Sequence, residues 1–473
     1  MIGKFIRGER QDVETSCKFT LTIESNDIKA MLEFDPDHTA QISGTVTCPA
    51  LSSSPLTVSE GCFQLFSPAK NDKPDSPSKQ MLYKMTLWDV YGPGVNFGDE
   101  DAAPRQRRAL KLRGCTPIVY ECVTKDEFQI LLTRYEGGPK GPVVMFHGAS
   151  VSSEIFRLDS IDANLVEYLV QYGYDVWLVD WRTSCNLPKM VEKNYTLDDC
   201  AAYDYPAAID KVLDVTNKKT VQVVAHCAGS LVLFASLLSG ALEGKVRSIV
   251  ASQVAANPIP APFNAYKSSL RLPGIAHAIG IHGLTVNTDA HALFFGRMFN
   301  GLSRAVVNHL VLPYSERCES PVCHRVTFIF GLLWEHKNLT ELTHNTLHQF
   351  FGHVTTLVNA QLALTMRWQK LVSASGEDIY LPESDKELKS PVYKEHINRL
   401  NLPIRFIVGE KNSCYLPKST LTTLNLVKEA HPHQNYSRVV IPDYGHLDCI
   451  YGKEAAVDVF PHILEALDQY AES

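Results

Sequence analysis

The stretch Val221-Gln-Val-Val-Ala-His-Cys-Ala-Gly-Ser230 constrains the chain most. An apolar run that ends at small residues and enters a second apolar run reads as a strand, a tight turn and a buried helix. Small residues flank Cys227 because strand and helix backbones approach closely at such a turn: Ala225 stands two places before it and Gly229 two after. The turn holds one side chain at the carboxyl edge of a sheet, so it requires strands and helices in alternation around it. The sequence supplies them from about residue 116. Continuous apolar runs at 143–147, 175–180, 221–226, 248–254, 404–409 and 436–442 read as buried strands, and 159–173, 202–215 and 228–243 read as helices. That alternation predicts an α/β chain with a mostly parallel central sheet flanked by helices.

Other segments depart from this pattern. Residues 14–66 carry short alternating runs, such as those at 19–23 and 42–46, which predict a β-rich N-terminal segment. The polar stretches 67–80 and 100–113 read as a loop and a charged connector. Between 255 and 400 no clear strand occurs, and several helical stretches do, among them 341–372. An insertion of that length between two sheet strands predicts a helical cap over the carboxyl ends of the strands. The resulting division is 1–113 for the β-rich segment and linker, 114–255 and 401–473 for the core, and 256–400 for the cap.

Composition narrows the function. With 45 Lys+Arg against 52 Asp+Glu, the net charge is 45 − 52 = −7, which leaves no basic excess for nucleic acid. No run of about 18 uncharged apolar residues occurs, and MIGKFIRGER lacks the apolar core of a secretory signal. The expectation is a cytoplasmic protein without stable membrane insertion. The 12 cysteines are scattered rather than packed into a disulfide framework. Cys318-x4-Cys323 is followed by His324, but no second CxxC or HxxxH pair completes four ligands, so no metal is expected. His344, His348 and His353 read as amphipathic packing.

The parts of an acyl-transfer site occur in order around Cys227. Cys227 is the candidate nucleophile. Upstream, the strand at 143–147 runs into His147-Gly148-Ala149-Ser150, whose loop backbone suits an oxyanion hole. Ala149, with Ser150 as neighbour, is one candidate donor, and Ala228, at the positive end of its helix, is the other. His147, Gly148 and His226 stand where substrate would pass. Downstream, His446 follows the last strand and is the candidate general base. After the strand at 404–409, Asn412 and Glu410 are the two candidates to orient that histidine. An amide oxygen and a carboxylate accept the same Nδ1–H, so Asn412→Asp is expected to be tolerated. Asp180 and Arg182 are expected to pair structurally at a strand end.

On these residues the chain, over about 116–473, resembles the α/β-hydrolase superfamily, here with a Cys nucleophile. Asn164-Leu-Val-Glu-Tyr-Leu, Gly173-Tyr-Asp-Val-Trp-Leu-Val-Asp-Trp-Arg182, Thr196-Leu-Asp-Asp199 and Asp204-Tyr-Pro-Ala-Ala208 are similar to acid lipases and sterol-ester hydrolases. The Trp-Arg, Leu197-Asp-Asp199 and the Cys also look like polyhydroxyalkanoate synthases. His-Cys-x-Gly-Ser and Tyr444-Gly-His-Leu-Asp-Cys449 resemble the hydrolase half of bacterial cholesterol-oxidase-like fusion proteins, and 42–98 look like their joining region. No G-x-G-x-x-G is present for a flavin half, so no cofactor is implied. The resemblance implies an α/β-hydrolase fold with a cap and hydrolysis of an ester, lactone or thioester of a small-molecule substrate with an apolar acyl, sterol-like or polyketide-like group. Acyl transfer, a lyase or cyclase use of the same Cys–His site, and a non-catalytic binding protein stay open. Pro258–Phe263, Leu293–Phe295 and Phe328–Trp334 are candidates for an apolar channel.

Overall fold

The computed structural model describes the backbone of six N-terminal strands, then residues 116–187, 194–278, 283–285, 301, 303–308, 313, 316–382 and 390–472. The chain divides into two compact units, Met1–Arg108 and Ala109–Ser473. In the first, β1 (Ile2–Ile6), β2 (Glu14–Glu24), β3 (Thr39–Thr47), β4 (Leu56–Pro68), β5 (Lys79–Asp89) and β6 (Gly92–Phe97) form one sheet in sequence order. Every neighbouring pair is antiparallel, with Phe19 opposite Val46 and Ile23 opposite Ile42. The alternating runs of the sequence are its β2 and β3. The predicted loop at 67–80 falls mostly, and the connector at 100–113 wholly, outside the described residues.

The second unit is built on an eight-stranded sheet. Its strands are β7 (Ile118–Val123), β8 (Gln129–Tyr135), β9 (Pro142–Phe146), β10 (Asp175–Asp180), β11 (Val221–His226), β12 (Val246–Ser252), β15 (Ile404–Gly409) and β16 (Tyr436–Ile441), with β13 (Gly283–Thr285) and β14 (His353–Thr355) pairing separately. The order across the sheet is β7-β8-β10-β9-β11-β12-β15-β16. β8 runs antiparallel to both neighbours, and all other adjacent pairs are parallel. β9, β10, β11 and β15 are buried along their whole length, as strands covered on both faces must be. β7 is exposed or half-buried along its length, and β8 mixes buried with half-buried positions. That weaker pattern is why the sequence reading, keyed to continuous apolar runs, passed over them.

Helices cover both faces: α1 (Leu165–Gln171), α2 (Tyr205–Thr216), α3 (Ala228–Leu238), α7 (Lys418–Ala430) and α8 (Phe460–Asp468) pack on the core. The cap contributes α4 (Pro262–Ser269), α5 (Pro321–Phe330) and α6 (Thr356–Trp368). Asn164 and Glu167 form a reciprocal capping box that starts α1, and Asn217, at φ 52°, closes α2 in the left-handed conformation. Every residue of α3 is buried, so this helix is apolar on all sides and occupies the centre of the layer behind β11.

Two expectations are corrected here. The span 341–372 is not one helix: it breaks into Glu341–Asn345, a tight turn at Leu347–Gln349, β14 and α6. Thr346, Gly352 and Thr355 interrupt the helical spacing, and β14 pairs with β13, so the insertion does contain strands. Asp180 and Arg182 do not pair with each other. Arg182 is held by Asp204 and Asp126, whereas Asp180 accepts hydrogen bonds from Ser153 and Ser184. Among the described residues no helix is long and apolar enough to cross a membrane.

Candidate active site

Cys227 follows the last residue of β11 with φ 57° and ψ −128°, a conformation that L residues rarely adopt, and α3 begins immediately after it. Strain of this size, about 1–3 kcal/mol, persists only where the surroundings over-determine it. Here they do. The Cys227 carbonyl accepts the first helical bonds from Ser230 and Leu231, and its N–H donates to Ser252 O at 3.1 Å. A Cβ on Gly229 would lie 2.4 Å from the His147 carbonyl oxygen, so only glycine lets α3 approach the neighbouring strand end. Tyr205, stacked on Phe146 at 3.8 Å, donates its hydroxyl to Gly229 O and locks the approach.

The oxyanion loop leaves β9 beside the same sulfur. A Cβ on Gly148 would stand 3.0 Å from Cys227 Cβ and 3.4 Å from Sγ, so a bare backbone keeps the thiol accessible. Gly148, Ala149 and Ala228 line one cavity with Cys227, which leaves the backbone at 149 and 228 available to a developing oxyanion. Ser150 and His147 take a different part from the one expected. Ser150, at φ 64°, donates its hydroxyl to Gly352 O at 2.8 Å and so ties the loop to the cap. His147 is fully buried outside the cavity, 3.7 Å from Asp180, and its carbonyl accepts from the Trp181 indole. Both position the loop rather than line the substrate space. His226 does line the cavity, with Nδ1 3.1 Å from the Ser252 hydroxyl and its ring edge-on to His446 at 4.9 Å.

His446 follows β16 on a turn and lines the cavity opposite Cys227. Its backbone N–H donates to Leu333 O at 3.1 Å, and Asp448 fixes the turn by accepting from Gly445 N–H at 2.9 Å. Asn412 Oδ1 lies 3.2 Å from His446 Nδ1. The same oxygen accepts the N–H groups of Cys414 and Tyr415 at 3.0 and 3.1 Å, and Nδ2 donates to Gln253 Oε1 at 3.0 Å. Two backbone donors therefore fix which end of the amide faces the imidazole. Nδ1 must carry the hydrogen, and Nε2 is left as the acceptor a general base needs. Nε2 is buried and makes no hydrogen bond, so the link to Cys227 is not closed; catalytic hydrogen bonds often tighten only around substrate. Glu410 is exposed and accepts from Asp443 N–H instead, so the structure places Asn412, not Glu410, against the histidine.

Burial sets the protonation of the pair. The apolar surroundings push the Cys227 thiol up to about 12 and the His446 imidazole down to about 3. Burial therefore favours the neutral thiol and the neutral imidazole in the resting pair.

Two contributors went unrecognised in the sequence. Gln253, at φ 78° just past β12, accepts from both Gly409 N–H and Asn412 and so supports the orienter. Lys267 on α4 reaches the cavity wall, donates to the carbonyls of Phe328 and Ile329, and is pushed down to about 7 by burial. Neither has a local motif, and only a Gln at an apolar strand end hinted at the first. The cavity itself is about 230 Å³. Its far wall is apolar and comes from the cap: Phe328, Phe330, Leu333, Phe351, Leu362 and Met366. Of the channel candidates, Phe328, Ile329, Phe330 and Leu333 take part, the described lining includes none of 258–263, and 293–295 lie outside the described residues.

Comparison with known proteins agrees with this architecture. Residues 143–374 match the model of the alpha/beta hydrolase family. A probable lipase, C14C8.15 of Schizosaccharomyces pombe, is 24% identical over 349 residues, covering 69% of this chain and 68% of the relative. Lipase lipl-1 of Caenorhabditis elegans is 24% identical over 390 residues, covering 74% of this chain and 88% of the relative. The solved structure of DcsB in complex with its substrate analogue has a TM-score of 0.44 at 13% identity, covering 75% of this chain and 99% of that one. Sheet order, the strained elbow and the family match over 143–374 together give this part of the chain an α/β-hydrolase fold.

Proposed function

We propose that the chain is a lipase- or esterase-type hydrolase that cleaves esters of apolar acyl groups through a covalent thioester on Cys227. The observation that carries this reading is Cys227 held in a strained turn on the floor of a largely apolar cavity that His446, oriented by Asn412, also lines. The lipase names of the relatives point the same way. Because the pair rests neutral, proton transfer accompanies attack. As Sγ bonds to the ester carbonyl carbon, its proton passes to His446 Nε2, and the carbonyl electron pair moves onto oxygen beside the N–H groups of Ala149 and Ala228. Collapse of that intermediate expels the alcohol, which takes the proton from His446. Water then attacks the thioester, gives a proton to Nε2, and releases the carboxylic acid as Cys227 recovers its proton. The cap wall receives the acyl chain.

The test is turnover of an ester series of increasing acyl length by the wild type and by Cys227→Ala. The expected result is hydrolysis in the wild type and a loss of at least about a thousandfold in the variant, with unfolding stability unchanged within about 1 kcal/mol. Undiminished turnover in Cys227→Ala overturns the reading.

A further inference from the structure

We infer that the cap holds one zinc ion between Cys318, Cys323, His336 and His344. One ligand atom from each residue lies within 4.8 Å of all the others. The sequence reading stopped at Cys318, Cys323 and His324 for want of two more ligands, and the fold supplies them. His324 is not one of the four, and its Nε2 lies 2.9 Å from the Cys318 carbonyl oxygen. His336 arrives from the turn His336–Asn338 and His344 from the short helix Glu341–Asn345, giving the spacing C-x4-C-x12-H-x7-H. No sequence rule joins ligands so spaced. The chain reversal after α5 does.

The donor set and its dimensions fit zinc. Zn–S legs of about 2.3 Å and Zn–N legs of about 2.05 Å at tetrahedral angles give S···N edges near 3.6 Å. Cys323 Sγ lies 3.4 Å from His336 Nε2, one such edge. The other nitrogen of His336 lies 2.7 Å from the carboxylate of buried Glu316, the carboxylate–histidine arrangement that orients a ligating ring and leaves Nε2 to the metal. His344 Nε2 is buried without a hydrogen-bond partner, and both cysteines are free of disulfides. Two thiolates and two imidazoles favour a soft-to-borderline tetrahedral ion over calcium or magnesium. On binding, the two thiols release their protons to solvent, and the site's charge is 2 − 2 = 0. With four protein ligands and no open position the ion is structural rather than catalytic.

Its position gives it work to do. The clamp brackets the segment 331–338, which braces the catalytic histidine. Leu333 O accepts the N–H groups of His446 and Leu447, Asn338 Nδ2 donates to Asp443 O and to Asp448, and Glu335 N–H also donates to Asp448. Phe328, Phe330 and Leu333 on the same stretch form the cavity wall. The ion would staple the cap to the loop that carries the general base.

The experiment is elemental analysis of the full chain purified without chelator, followed by replacement of the metal with Co²⁺. We expect about one zinc per chain, and after exchange an intense thiolate-to-cobalt charge-transfer band with the visible spectrum of a tetrahedral site. Cys318→Ser and His344→Ala are each expected to lose the metal and the band, and chelation to lower ester turnover about tenfold, the size typical of a lost supporting contact. Failure of either variant to fold leaves the wild-type cobalt spectrum as the deciding readout. Three results each overturn the proposal: wild-type protein that takes up neither zinc nor cobalt, a cobalt spectrum without a thiolate band, or a native mass 2 Da low from a Cys318–Cys323 disulfide. None of these readouts requires Cys227 to be the nucleophile.

Discussion

The two walls of the cavity are built by different rules. The core wall, Gly148, Cys227 and His446, stands on strand ends with Asn412 behind His446, and each residue is fixed within a few positions by its own turn. The cap wall, Phe328, Phe330 and Leu333 with Phe351, Leu362 and Met366, is assembled from segments that meet only in three dimensions. On the proposed mechanism the first wall would set the chemistry, and the second the shape of the acyl group. Substitutions should therefore divide into those that change rate for every substrate and those that change preference among substrates.

The largest effect after loss of the nucleophile is expected at the orienter. Asn412→Ala removes the acceptor that selects the His446 tautomer, and kcat should fall about a hundredfold for short and long esters alike. Glu410→Gln, at an exposed side chain, should leave kcat within about twofold. The reverse pattern would move the orienting role to Glu410 and break the division of labour within the core wall.

Asn412→Asp separates stability from chemistry. Its second oxygen would face Gln253 Oε1, which already accepts from Gly409 N–H, so two acceptors would meet in a buried site. The earlier expectation of simple tolerance thus changes. Denaturant unfolding should show a loss of about 1–3 kcal/mol, while kcat stays far above that of Asn412→Ala. A variant as stable as the wild type would show that Gln253 reverses its amide without cost.

Acid should weaken the core before it stops the chemistry. His446 is pushed down to about 3, and His226 and His147 are lowered too, all by burial. Unfolded histidines titrate near 6.5, so between that value and the depressed folded values the unfolded chain binds more protons and stability rises with pH. The contribution of these groups is complete above pH 6.5 and is lost as pH falls, each by on the order of 1 kcal/mol per unit. Denaturation midpoints at pH 7 and 5 measure this. Equal midpoints would mean that the three rings are not held neutral.

The smallest effect belongs to the cap wall. Met366→Ala should raise KM for long acyl esters about fivefold, from roughly 1 kcal/mol of lost apolar contact, and leave short esters unchanged. A uniform loss would place Met366 with the rate-setting residues.

The same contrast explains what could be read from the sequence. β10, β11 and β15 are continuous apolar runs, and their limits agree with the reading residue for residue. Cys227, His446 and Asn412 each lie within a few residues of such a run, so strand order alone gathers them. β7, at the sheet edge, and its neighbour β8 carry no continuous apolar run, so apolar runs alone do not reveal them. Gln253 and Lys267 act through partners 159 and 61 positions away, separations that leave no local trace. His344 was read as packing because its partner Cys318 is brought to it only by the chain reversal after α5.

The central claim, that Cys227 carries the acyl group, is tested most directly by acid-quenching the wild type during turnover of an activated ester and mapping its peptides by mass spectrometry. The account predicts one acyl adduct, on Cys227, that is labile to hydroxylamine and more abundant in Asn412→Ala, where water attack on the thioester loses its oriented base. An adduct on another side chain, or none at all while Cys227→Ala still turns over, would contradict it.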